Sequence, residues 1–263
     1  MTSRGGRAPA LPTDVHWLDL ELAALYRHDE RGRLTRTREP HGRPAPALAF
    51  SRSVHGNLWR FAAGLPSALV RDLSRLCARE RPLASGGWAD SPEGPAPAER
   101  WEAMRRALAG AGFEPDPEWR GPCFRFPAEL AVAPEETREW TGIDADRLDA
   151  AGESAFAWLA GELEGRRPVV ARLEGGVPVS VVWAARGGGE GPGPAIEAGV
   201  ETLPSHRGRG HARAGVAAWA RRVRDLGAEP LYSTSWANRA SRGVARSLGL
   251  VAFGEHAHLA PLG

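Results

Sequence analysis

Apolar residues recur at helical or strand spacing along most of the chain, and stretches rich in Pro and Gly separate these runs. In the N-terminal part this pattern predicts a short helix, a strand pair around the turn His55-Gly56, and two further helices. The elements are expected over residues 15–26, 47–54, 57–62, 66–79 and 98–109, in that order. The many Pro and Gly residues of segment 84–98 predict a loop before the last helix.

Around Pro127 the pattern changes to an alternation of strands and helices. Helices are expected over residues 144–163, 211–226 and 239–248, and strands over residues 123–126, 168–173, 177–185, 195–203, 230–234 and 250–259. This alternation is typical of α/β or α+β architecture. We expect a flexible tail over residues 1–13, an N-terminal α+β domain over residues 14–115 and a second domain over residues 116–263.

Positive and negative charges are nearly balanced, since 34 basic residues, all of them Arg, face 32 acidic ones. The Arg residues are spread along the chain, which argues against a nucleic-acid binder. No apolar run approaches the ~20 residues that span a bilayer, and no signal peptide is evident, so we expect a cytoplasmic protein without membrane association. The absence of Lys excludes a P-loop and a lysine nucleophile.

The cysteines and histidines do not form a metal-binding pattern. Cys77 and Cys123 stand far apart, which favours two free thiols in a reducing compartment. His256 and His258 alternate on a predicted strand without an evident third ligand, so surface or partly buried imidazoles are favoured. We therefore expect no metal ion.

The segment Arg207-Gly208-Arg209-Gly210-His211-Ala212 lies between a predicted strand and a predicted helix. Glycines let the backbone approach a ligand closely, and a helix start presents unpaired N–H groups, so the segment is suited to a pyrophosphate. A Gly-rich connector without a ligand is the alternative interpretation. A dinucleotide-binding fingerprint fits less well, because Arg213 stands where its third glycine is required.

The same segment resembles the acyl-CoA signature R-x-x-G-x-A of the GNAT N-acetyltransferase superfamily, with Arg207, Gly210 and Ala212 at the defining positions. A second block agrees, since Asn238 opens a predicted helix that closes at Leu248-Gly249-Leu250. The resemblance implies an α+β fold with a central, mostly antiparallel sheet flanked by helices. It also implies acetyl-CoA or another acyl-CoA as the co-substrate.

The resemblance further implies which residues hold the co-substrate. Within the anion loop, residues 207–212, the main-chain amides of residues 209–212 would hold the pyrophosphate, with Arg207 and Arg209 adding positive charge. Main-chain groups of Val200 and Thr202 would pair with the pantetheine arm, and Asn238 would bond to that arm from the other side.

Acyl transfer to an amine needs a base for the ammonium and a proton for the departing thiolate. Glu197 and Glu201 share one face of a predicted strand and are candidate bases, with a structural ion pair as the alternative for each. The family's usual tyrosine is absent, because its position is Ala245. The remaining candidate acids are listed here: Tyr232, Ser233, Ser235 and His206.

The sequence therefore predicts an N-acetyltransferase that moves an acetyl group directly from acetyl-CoA to a primary amine of a small molecule or peptide. The role of the N-terminal domain and the oligomeric state, for which a homodimer is considered, are left open. The alternative is a non-catalytic acyl-CoA-binding or regulatory protein that has lost the general acid, an interpretation motivated by Ala245.

Overall fold

The computed structural model describes residues 13–113, 118–130, 140–143, 156–189 and 193–261, together with residues 132, 137, 148 and 191. In the N-terminal part the elements are α1 (Thr13–Leu25), β1 (Tyr26–His28), β2 (Leu34–Thr37), β3 (Pro46–Arg52), β4 (Asn57–Phe61), α2 (Ser67–Ala78) and α3 (Trp101–Gly110). The predicted helices and the predicted strand pair are all present, with ends that differ by a few residues.

The remaining elements are β5 (Glu118–Arg125), β6 (Trp140–Gly142), α4 (Ala157–Ala160), β7 (Val170–Glu174), β8 (Val177–Arg186), β9 (Ala195–Thr202), α5 (His211–Asp225), β10 (Glu229–Ser233), α6 (Arg239–Ser247) and β11 (Val251–Pro261). Most of the helix predicted over residues 144–163 lies outside the described residues. In its described C-terminal part only the single turn α4 is α-helical, and a 3-10 turn follows at Glu164–Arg166.

The strand predicted over residues 123–126 begins earlier, at Glu118, although Pro122 lies within it. This is tolerated because β10 pairs with β5 only at residues 123–125, so Pro122 has a neighbouring strand, β11, on one side alone. A proline fits where a strand lacks a partner for its missing N–H group.

One sheet of nine strands organises the molecule, in the order β4-β3-β11-β5-β10-β9-β8-β7-β6. All neighbours in it are antiparallel except β9 and β10. The predicted α+β fold with a central, mostly antiparallel sheet is thus confirmed. Because β3 and β4 extend this same sheet, residues 14–115 share it with the C-terminal part, and their division into separate domains stays a prediction.

Helices cover both faces of the sheet. On one face, α5 and α6 bury a core that includes Trp219, Val216 and Tyr232, while α2 and α3 pack on β3 and β11. On the other face, α1 packs Leu18 against Leu231 and neighbouring residues. The side chains at the middle of the sheet are therefore enclosed from both sides, which matters for the charged groups described next.

Candidate functional site

The parallel strands β9 and β10 separate soon after they begin to pair. Their register runs only from Glu229 opposite Ala195 to Leu231 opposite Glu197. Beyond that point a cavity of about 820 Å³ opens on the α5 face of the sheet, and a cavity of about 650 Å³ opens on the α1 face. We call them the α5-side and the α1-side cavity. Both are lined by Ala198, Ser233, Thr234 and Asn238, so they meet at the gap between the strands.

The anion loop forms one wall of the α5-side cavity. Gly208 and Gly210 adopt left-handed backbone angles, with φ of 77° and 81°, and Gly210 is the N-cap of α5. A Cβ atom at either glycine would meet no atom within 4 Å, so the space in front of the loop is open. The first intrahelical bond runs from Ala214 N to Gly210 O, which leaves the N–H groups of residues 211–213 directed out of the helix end.

The side chains of the anion loop have distinct environments. Arg207 Nε donates to Thr202 O at 3.1 Å, and Arg209 Nη2 donates to Ser205 O at 3.0 Å. His211 Nε2 is buried and has no hydrogen-bond partner among the described residues. Burial and the nearby Arg172 lower the pKa of His211. The loop is thus rich in donors, and His211 Nε2 lies 3.7 Å from Glu174 Oε1, too far for a hydrogen bond.

The main-chain groups of β9 form the opposite wall. Leu203 N donates to Val179 O at 3.0 Å, which marks this pair as one that exchanges hydrogen bonds. In an antiparallel ladder, pairs that exchange hydrogen bonds alternate with pairs whose N–H and C=O groups point away from the partner strand. Val200 and Thr202, opposite Val182 and Ser180, therefore direct their N–H and C=O groups away from β8 and into the gap.

Asn238 stands where β10 passes into α6. Its Oδ1 atom accepts a hydrogen bond from Ser241 N at 3.0 Å, so the side chain caps the helix. One turn into α6, Ser241 Oγ lies 2.6 Å from the hydroxyl of Tyr232, which lines the same cavity. Burial raises the pKa of that hydroxyl, so it keeps its proton.

Glu197 lines the α1-side cavity, next to Ser233, which lines both cavities. Only 7% of the residue is exposed, and Ser233 Oγ donates a hydrogen bond to its Oε1 atom. Burial raises the pKa of Glu197, while the bond from Ser233 and the charge of Arg186 act in the opposite direction. The result is a carboxyl that can take up a proton more readily than an exposed glutamate.

Glu201, the other candidate base, is half-buried in the α5-side cavity, and Ser235 lines the α1-side cavity. The irregularity in the β8–β9 ladder falls on β8, between Ala184 and Arg186. It therefore leaves the parity of β9 intact, and Glu197 and Glu201 keep the same face. Of the two, Glu197 lines the α1-side cavity and Glu201 lines the α5-side cavity.

The model of the acetyltransferase (GNAT) family matches residues 118–250, just over half of the 263 residues. This chain belongs to the GNAT family. None of the curated proteins matches it. The matched range contains β5, the gap between β9 and β10, and the anion loop, so the family assignment and the cavity geometry concern the same part of the molecule.

The solved structures that match this chain include several GNAT proteins. A GNAT acetyltransferase from Colwellia psychrerythraea has a TM-score of 0.47 and 10% identity, over 78% of this chain and 76% of that one. A GCN5-related N-acetyltransferase from Kribbella flavida has a TM-score of 0.44 and 17% identity, over 97% of each chain. A GNAT structure from Novosphingobium aromaticivorans has a TM-score of 0.43 and 17% identity, over 56% of this chain and 66% of that one. These identities are too low for residue roles to be transferred.

This GNAT protein has features of its own on the α1 face that the sequence pattern did not reveal. Tyr26 Oη is hydrogen-bonded to His256 Nε2 at 3.2 Å, and Ser51 Oγ to His256 Nδ1 at 2.9 Å. The expectation of surface or partly buried imidazoles was wrong for His256, which is 1% exposed because β11 has partners on both sides. The sequence signal for this cluster is the alternation of His256 and His258 along one strand. It places both side chains on the same face of the sheet, and both line the α1-side cavity.

Within the described ranges, no group of three or more His, Cys, Asp or Glu side chains is arranged to hold a metal ion. Among the helices of the same residues, none has both the length and the apolar character required to cross a membrane.

Proposed function

We propose that this GNAT protein transfers an acetyl group from acetyl-CoA to the primary amine of a small molecule or peptide, by direct transfer. The observation that carries the proposal is the meeting of two cavities at Ser233, whose hydroxyl donates to Glu197, through the gap between β9 and β10. A donor held on one face of the sheet and an acceptor held on the other would bring their reacting atoms to this gap.

The α5-side cavity fits the acyl donor, which supplies an acyl group activated as a thioester. The N–H groups at the start of α5 and the loop residues Arg207, Gly208, Arg209 and His211 would hold the pyrophosphate. Gly210 has no side chain and Ala212 has only a methyl group, so neither would crowd the pyrophosphate. The main-chain edge at Val200 and Thr202 would pair with the pantetheine arm, and Asn238, with its Nδ2 atom still free to donate, would contact the arm from α6.

Glu197 acts as the base in this proposal. The acceptor enters as an ammonium, and Glu197 removes one proton from it, directly or through a water molecule. The amine nitrogen then forms a bond to the acyl carbon while the carbon–sulfur bond breaks. The nitrogen loses its second proton to give the amide, the thiolate takes up one proton to give the free thiol, and the proton on Glu197 passes to water. Glu201 remains the alternative base from the sequence, but it does not line the α1-side cavity, to which this proposal assigns the acceptor.

Tyr232 and Ser235 remain the candidate donors of the proton to the thiolate. Tyr232 is on the donor side, and its hydroxyl, held by Ser241, keeps its proton because of burial. Ser235 is on the acceptor side. Ala245, where the family usually has tyrosine, is 1% exposed and contributes no acid, which is the observation behind a non-catalytic acyl-CoA-binding function.

The test combines binding and turnover. Binding of acetyl-CoA is measured by calorimetry, and release of free CoA thiol is followed with a panel of amines. Glu197→Gln should keep acetyl-CoA affinity and lower kcat by about 10²- to 10⁴-fold, the usual contribution of a general base, while Glu201→Gln serves as the matched control. Binding without transfer to any amine would favour the non-catalytic function, and absence of binding would refute both.

A further inference from the structure

The α1-side cavity contains a guanidinium next to the base. We propose that the acceptor is an α-amino acid whose amine faces Glu197 and whose carboxylate is bound by Arg186. The inference rests on the proposed function and specifies the acceptor class within it.

Arg186 and Glu197 are directly opposite each other in the β8–β9 ladder. Both side chains line the α1-side cavity. Arg186 donates through Nη1 to Ala185 O at 3.0 Å, and the same atom lies 2.8 Å from Glu39 Oε2. Its Nε and Nη2 groups make no hydrogen bond to a described residue. The fork is therefore anchored at one nitrogen and retains two donors for a carboxylate.

The charges around the cavity favour an acceptor with one amine and one anionic group. Glu39 and Glu197 are the carboxylates among the described residues that line it. Glu39 is engaged by Arg186, by Arg43 at 3.4 Å and by Thr37 Oγ1 at 3.1 Å. Two guanidinium groups thus share one carboxylate, and the wall opposite the base is net positive. A second ammonium, as in a polyamine, would find no free carboxylate on this wall.

The remaining wall of the cavity is flat and uncharged. Trp119 and His258 stack with ring centroids 5.6 Å apart and an angle of 7°. Burial and the charge of Arg186 lower the pKa of His258 to about 4, so its ring is neutral at physiological pH. Such a surface suits an aromatic or apolar side chain. We therefore choose L-phenylalanine as the probe.

The experiment compares three acceptors that differ only near the carboxylate: L-phenylalanine, L-phenylalaninamide as the mimic of a peptide N-terminus, and 2-phenylethylamine. We expect kcat/KM to be at least about tenfold higher for L-phenylalanine, the value of one charge-assisted hydrogen bond. Arg186→Gln should remove this preference, measured as the ratio of kcat/KM for L-phenylalanine to kcat/KM for 2-phenylethylamine. Because both acceptors use Glu197, an effect of the lost charge on that base cancels in the ratio. Arg43→Gln, which removes a guanidinium at the exposed rim, should keep the preference.

A readout independent of turnover is the binding of L-phenylalanine in the presence of CoA, measured by calorimetry. Arg186→Gln should abolish it and Arg186→Lys should weaken it, because a single ammonium cannot replace the fork. Equal rates with all three acceptors, or a preference that survives Arg186→Gln, would overturn the inference and leave the proposed function intact. Acetyl-CoA binding without transfer to any amine would instead overturn the proposed function, and the inference with it.

Discussion

Replacing Ser233 with alanine should move the low-pH side of the rate profile to higher pH. Ser233 Oγ is the donor to Glu197 Oε1, and no other described residue gives that carboxyl a hydrogen bond. A hydrogen bond to a charged group contributes about 1.5–3 kcal/mol, and about 1.4 kcal/mol corresponds to one pKa unit. Because the bond favours the carboxylate, its loss raises the pKa of Glu197. The base must be deprotonated to act, so the low-pH inflection should rise by about 1–2 pH units.

The assay is kcat/KM measured from pH 5 to pH 9 with one acceptor that the wild-type protein acetylates. At high pH, Ser233→Ala should approach the wild-type rate, because Glu197 is then ionised in both proteins. In the Glu197→Gln background the inflection should be absent, and adding Ser233→Ala should shift nothing. An inflection that stays in place, or that moves to lower pH, would refute the assignment of Glu197 as the base.

Three further predictions concern binding and stability. Gly210→Asp should weaken acetyl-CoA binding by about 100-fold or more in calorimetry, because it places a negative charge at the anion loop. Gly227, at the other end of α5, has a similar φ of 76°, so Gly227→Asp is the control for backbone strain. This control variant should bind acetyl-CoA with the wild-type affinity. Glu21→Gln should stabilise the protein in urea unfolding, increasingly so above pH 4.5. Burial and the charge of Glu197 raise the pKa of Glu21, so above that pH the free energy of unfolding of the wild-type protein falls by up to about 1.4 kcal/mol per pH unit. A difference in unfolding free energy between variant and wild type that stays constant with pH would contradict this. Tyr26→Phe should cost about 1–3 kcal/mol of unfolding free energy, because the buried His256 Nε2 loses its partner; a loss below about 0.5 kcal/mol would mean that this bond is unimportant.

The donor side of the site was predictable because its determinants are local in the sequence. Gly208 and Gly210 allow the left-handed turn, and the same few residues start α5. Asn238 caps α6 through Ser241, three residues further on, which is a pattern that a short window of sequence contains. The strand parity of Glu197 and Glu201 likewise follows from their spacing. The roles of these residues in binding and catalysis remain predictions.

The acceptor side was not predictable because it depends on pairing between distant residues. Tyr26 and His256, which are hydrogen-bonded, are 230 positions apart, and Ser51 and His256 are 205 apart. Hydrophobic periodicity indicates a strand at β11 but does not indicate that β3 and β5 flank it. Without the pairing of β11 with β3 and β5, the sequence predicts neither the burial of His256 nor the lowered pKa of His258.

The division between the two sides has a consequence for how specificity is encoded in this GNAT protein. The family match begins at residue 118, whereas Tyr26, Glu39 and Arg43, which line the α1-side cavity, precede it. The matched part contains the anion loop and Glu197, to which the proposed function assigns donor binding and base catalysis. The earlier residues determine the charge and shape that an acceptor meets, since Glu39 directs Arg186 and Tyr26 covers His256. Substitutions of Glu39 or Tyr26 should therefore change which amine is used, while those in the anion loop should change acyl-donor affinity for every amine alike.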